Sequence, residues 1–151
     1  GKRVTMRTGM MITAAAGPIS NVLFGFLCAA LFLVLRSFVY ADVPAAALGE
    51  SPILMLIFRV MLINYILAVF NFIPLPPLDG SKVLAGVLPR HIAAHFDALE
   101  RNPFVSLVIL FALLGTGMLG KVIGPAIIWM LQGTIAVLGI DPIDLISMMR
   151  A

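Results

Sequence analysis

Between positions 10 and 35 the chain carries no charged side chain, a stretch that as a helix exceeds the roughly 30 Å hydrocarbon thickness of a bilayer. Further apolar stretches follow at about 52–73, 104–119 and 122–138. Of the 151 residues 62% are hydrophobic and 11% charged, where soluble domains carry about a quarter charged. A core of this size cannot hide so much apolar surface from water, so lipid is the natural solvent and the first partner. The expected fold is all-α, a polytopic membrane bundle of about four transmembrane helices in a single domain over residues 1–151.

Charge then orients the bundle. The net charge is +3, and its bases sit at helix ends rather than in a run, which argues against nucleic acid as a partner. Lys2, Arg3 and Arg7 mark the first end as cytoplasmic. The 40–51 connection holds Asp42 and Glu50 and no base, and Lys82, Arg90 and Arg101 mark the next connection as cytoplasmic again. Lys121 alone falls on the outer side. The tally favours both ends in the cytoplasm and Asp79 toward that face, an arrangement suited to a bacterial inner (plasma) membrane. Gly1 is not an initiator Met, and no small-residue cleavage pattern follows the first basic residues, so the chain reads as a piece of a longer protein. Cys28 has no partner cysteine and is expected to pack as a small apolar residue.

The second span ends at Pro74, Pro76 and Pro77, followed by Asp79 and Gly80, and an apolar segment too short to cross resumes at Ser81. A break of this kind frees backbone groups that lipid cannot satisfy, so protein or a water-filled cavity must surround it. Asp79 is costly there unless it pairs, meets water or binds a cation. A salt bridge to Lys82, a cap on the helix starting at Gly80, and a metal or proton site are all compatible with its position. Asn64 and Asn71 are seven apart, on one helix face, where Asn64 suits interhelical hydrogen bonding and Asn71 can also donate to a developing negative charge. In the first span Gly17, Asn21 and Gly25 form a small-residue stripe for close helix packing, and Pro18 kinks or starts the regular helix. Arg59 lies near the outer end, where it can snorkel to the interface. His91 and His95 have zinc-like i, i+4 spacing, but Ile92 stands where an H-E-x-x-H helix requires Glu. A surface or interfacial place suits them better.

Two segments together resemble the paired signatures of the site-2 protease family of intramembrane zinc metalloproteases. They are Ala16-Gly17-Pro18-Ile19-Ser20-Asn21 and Asn71-Phe72-Ile73-Pro74-Leu75-Pro76-Pro77-Leu78-Asp79-Gly80. The second is long and specific, and the order of the two, one loop and one span apart, extends the likeness over nearly the whole chain. The resemblance implies hydrolysis of peptide bonds in transmembrane protein substrates by a bound Zn2+, with Asp79 as the third protein ligand and Asn71 binding substrate or oxyanion. Pro74, Pro76, Pro77 and Gly80 would shape the turn that presents Asp79, and Gly17, Pro18 and Asn21 would pack beside it. The other two ligands and the general base belong to an H-E-x-x-H helix that this sequence lacks, so N-terminal helices or a partner chain would supply them. Two alternatives stand beside this expectation: a catalytically inactive scaffold or assembly subunit of the same fold, and an ion or proton pathway around Asp79.

Overall fold

A computed structural model describes the backbone of residues 2–150 and the side chains within it, except those of residues 2–5, 7, 90, 94, 95, 97 and 98. The side chains of Lys2, Arg3, Arg7, Arg90, His95 and Asp97 therefore lie outside the described residues. Every regular element among the described residues is helical. In order they are α1 (Lys2–Phe38), a 3-10 helix (Ala45–Glu50), α2 (Pro52–Phe72), α3 (Asp79–Val87), α4 (Arg90–Glu100), α5 (Pro103–Gly115), α6 (Met118–Leu138) and α7 (Pro142–Arg150).

Among the described residues three helices are long and apolar enough to cross a membrane: Thr8–Phe38, Pro52–Phe72 and Met118–Leu138. The stretch expected to span at 104–119 forms only α5, whose 13 residues reach about 20 Å at 1.5 Å per residue, short of the roughly 30 Å core. Its apolar run continues past Gly115, but Thr116 and Gly117 turn the chain there, with Gly117 at φ 70°, a left-handed conformation that favours glycine. Pro18 does not start α1 either. The helix passes through it, and the Ser20 hydroxyl donates to the carbonyls of Ala16 and Gly17, each at 2.8 Å.

The chain divides into two compact units, one of Gly1–Asn21 and Leu67–Pro125, the other of Val22–Ile66 and Ala126–Ala151. In the first, Leu78, Leu110 and Leu119 are buried together with Phe70, Ile73, Leu75, Leu113 and Ile123 against them. The Ser106 hydroxyl donates to the Leu99 carbonyl at 2.8 Å, which fastens the first turn of α5 to the end of α4. Gly86 of α3 lies against Met11 of α1, where an added Cβ would sit 2.8 Å from the Met11 Cβ.

In the second unit the core is built from Ala29 and Phe32 of α1, Leu54, Phe58, Met61 and Tyr65 of α2, Leu131 of α6, and Leu145 and Met148 of α7, with Leu48 and Ile140. Gly25 lets the Tyr65 ring lie directly on the α1 backbone, and the Tyr65 hydroxyl meets the Thr134 hydroxyl of α6 at 2.6 Å. Asn64 departs from expectation. Its amide donates to the Val60 carbonyl of its own helix at 2.8 Å, so the polar group is satisfied locally.

The end of the chain also differs from the sequence expectation of a short surface helix. Asp141 does cap α7, accepting from the Ile143 N–H at 2.9 Å, yet Asp144, Leu145 and Met148 are buried. The helix packs on the 3-10 helix of the 40–51 connection, and Asp144 Oδ2 accepts from Arg36 Nε at 2.8 Å. Four crossings would carry α7 to the membrane face opposite that connection, whereas the structure places α7 beside it.

Candidate functional site

The proline-rich interruption is built by ordinary backbone rules. Ile73 ends the hydrogen-bonded run of α2 by donating to the Phe70 carbonyl at 3.1 Å, and proline at 74, 76 and 77 removes three N–H donors that continuation would need. The remaining donors are used in tight local bonds: Leu75 N–H to the Ile73 carbonyl and Leu78 N–H to the Leu75 carbonyl, both at 2.8 Å. The Pro76–Pro77 peptide is cis. Pro76 is buried, while Pro74 and Pro77 are exposed.

Helix α3 then begins at Asp79 itself. Leu78 is the residue before it and makes no side-chain cap, so Asp79 occupies the first helical position rather than capping a helix that starts at Gly80. A carboxylate in a first helical turn meets the positive end of the helix dipole, worth about 0.3–1 kcal/mol. Two small buried residues make the turn possible. Gly80 packs against the carbonyls of Phe72 and Ile73 with no room for a Cβ, and the Ser81 hydroxyl donates to the Leu78 carbonyl at 2.7 Å.

The two oxygens of Asp79 meet different surroundings. Oδ1 lies 3.9 Å from Lys82 Nζ, so the expected pair is present in a loose, half-exposed form. Pairs of this kind contribute about 0–1 kcal/mol. Oδ2 is turned to α1, where a Cβ on Gly17 would lie 3.4 Å from it. The structure thus brings Asp79 to the Gly17 end of the small-residue stripe. Pro18 is buried beside it in sequence, and Asn21 is half-buried. Asn71 lies in the last turn of α2, half-buried, and no hydrogen bond engages its amide among the described residues.

Among the described residues no group of three or more His, Cys, Asp or Glu side chains is placed to hold a metal ion. His91 is exposed on α4. A catalytic zinc requires three protein ligands and an open position, and Asp79 presents one carboxylate oxygen turned to Gly17. The donor chemistry fits one third of such a site. Sequence reasoning missed the contributions of Ser81 and Gly86. Their signal was the small residue recurring at 80, 81 and 86 in an otherwise apolar segment, which marks surfaces where backbones approach closely.

Comparison with known proteins bears on the same residues. The profile of "Peptidase family M50" matches residues 38–115, which include the proline-rich turn and Asp79. YwhC of Bacillus subtilis (strain 168), whose name places it with the zinc metalloproteases, is 26% identical over 105 residues, covering 70% of this chain and 47% of YwhC. The chain therefore spans about half the length of that relative. No solved structure matches it.

Proposed function

Given that the chain belongs to peptidase family M50, the site-2 proteases, we propose that it is the part of an intramembrane zinc metalloprotease that supplies the third zinc ligand through Asp79. What supports this is the placement of one carboxylate oxygen, free of hydrogen bonds, against Gly17 at the mouth of a proline-broken helix. Bound zinc would polarise the scissile carbonyl and lower the pKa of a water molecule. The residues of this chain serve that chemistry in distinct ways. Asp79 Oδ2 would grip the ion while Lys82 holds Oδ1. The Asn71 amide would donate to the substrate carbonyl oxygen as it gains negative charge. The turn from Pro74 to Gly80 would present the carboxylate, and the exposed Pro74 and Pro77 would be open to an extended transmembrane substrate. Two histidine ligands and a general base would come from an H-E-x-x-H helix elsewhere in the full protein, or on a partner chain.

The host membrane would be a bacterial inner membrane, with Lys2, Arg3 and Arg7 on its cytoplasmic face. Cleavage of a membrane-embedded reporter by the full-length protein tests the proposal. Asp79→Ala is expected to abolish it, and unchanged cleavage would remove Asp79 from the site. A full-length protein that binds no zinc and cleaves nothing would contradict the proposal and select an inactive scaffold of the same fold.

A further inference from the structure

The packing of α7 fixes a membrane topology that the apolar runs do not. Arg36 sits in the last turn of α1 and Asp144 in the first turn of α7, and their ion pair at 2.8 Å is mostly buried, with side-chain exposures of 20% and 8%. Arg36 also donates to the carbonyls of Tyr40 and Ala41, shortly beyond the end of α1. Tyr40 in turn bonds Ser51 at 2.9 Å, and Ser51 accepts from the Leu54 N–H at the start of α2. One hydrogen-bonded chain therefore joins the end of α1, the start of α2 and the start of α7. Leu145 and Met148 bury their side chains in the same core as Leu48 of the 3-10 helix.

We infer that α7 is seated on the same membrane face as the 40–51 connection, held there by the Arg36–Asp144 pair, and that α5 does not cross the membrane. The count of crossings requires it. Between the end of α1 and the start of α7 the chain must cross an even number of times to return to the same face. Helices α2 and α6 make two crossings, and α5, with 13 residues, adds none.

Charge supports the same arrangement from a separate direction. With α5 on one face, Lys121 at the start of α6 joins Lys82, Arg90 and Arg101 on the face of the first basic end, so the exception in the sequence tally disappears. The opposite face gathers Asp42, Glu50, Asp141 and Asp144. Its bases are Arg36, which is paired, and Arg150, with Arg59 in the membrane half nearest that face. The expectation that both ends are cytoplasmic is thereby replaced: α7 belongs on the outer face. This inference does not depend on zinc.

Single cysteines in a Cys28→Ser background of the full-length protein test it, using a membrane-impermeant maleimide on spheroplasts and on inverted vesicles. Ala46, Thr116 and Met149 are all exposed. Cysteine at 46 and at 149 is expected to label from the outer face, and cysteine at 116 from the cytoplasmic face. Alkaline phosphatase fused after position 151 gives a second measurement, expected to be active like a fusion at position 46. Labelling of position 149 together with 116, or an inactive fusion at 151 beside an active one at 46, overturns the inference.

Discussion

At Gly80 a single hydrogen separates the start of α3 from the carbonyl oxygens that end α2, and no larger residue fits without moving one backbone or the other. Gly80→Ala is expected to cost about 1–3 kcal/mol, the range for overpacking a tight interior. Thermal unfolding in detergent would register it, and cleavage should fall further than stability because the shift displaces Asp79. Asn71 makes the opposite prediction. With its amide unengaged among the described residues, Asn71→Ala should leave the melting temperature and zinc content near wild type while lowering kcat about 10²-fold, as loss of an oxyanion donor does. In the second unit, Tyr65→Phe removes a bond to Thr134, whose hydroxyl keeps its bond to the Met130 carbonyl, so a loss of about 0.5–1.5 kcal/mol is expected. Residue roles were unevenly legible in the sequence. Asp79 stood out because an acid beside a proline break in a membrane segment is costly unless it pairs, meets water or binds a cation. Asn64 was misread as an interhelical donor, since spacing says which face a side chain occupies but not whether its own backbone satisfies it.

Among the elements, α1, α2 and α6 followed from their long apolar runs, and the break between α2 and α3 from its prolines. Helix α5 was overextended because its apolar run reads on through a turn whose only markers are Gly115, Thr116 and Gly117. Helix α7 was recognised from Asp141 and Pro142, but its burial depends on Arg36, more than one hundred residues away, and no local pattern carries that information. Removing one partner of this pair should reveal its weight. Asp144→Ala leaves the Arg36 guanidinium without its carboxylate and is expected to destabilise the protein by about 3 kcal/mol, whereas Arg36→Met combined with Asp144→Leu should recover most of that loss. Unfolding of the two variants beside wild type measures the difference. Equal melting temperatures for Asp144→Ala and wild type would show the pair to be idle.

For the whole molecule, the membrane class and the family were legible from composition and two short motifs, because lipid constrains composition strongly and the proline-rich signature is long. The number of crossings was not, since it turns on whether one helix of borderline length passes through the bilayer, and tertiary packing decides that. The proposed proteolysis requires Asp79 as a metal ligand. Zinc content of the purified full-length protein, measured by mass spectrometry for wild type and for Asp79→Ala, tests this most directly. About one zinc per wild-type chain and a large loss in the variant, with folding retained, is the predicted result; equal zinc in the two proteins would contradict it.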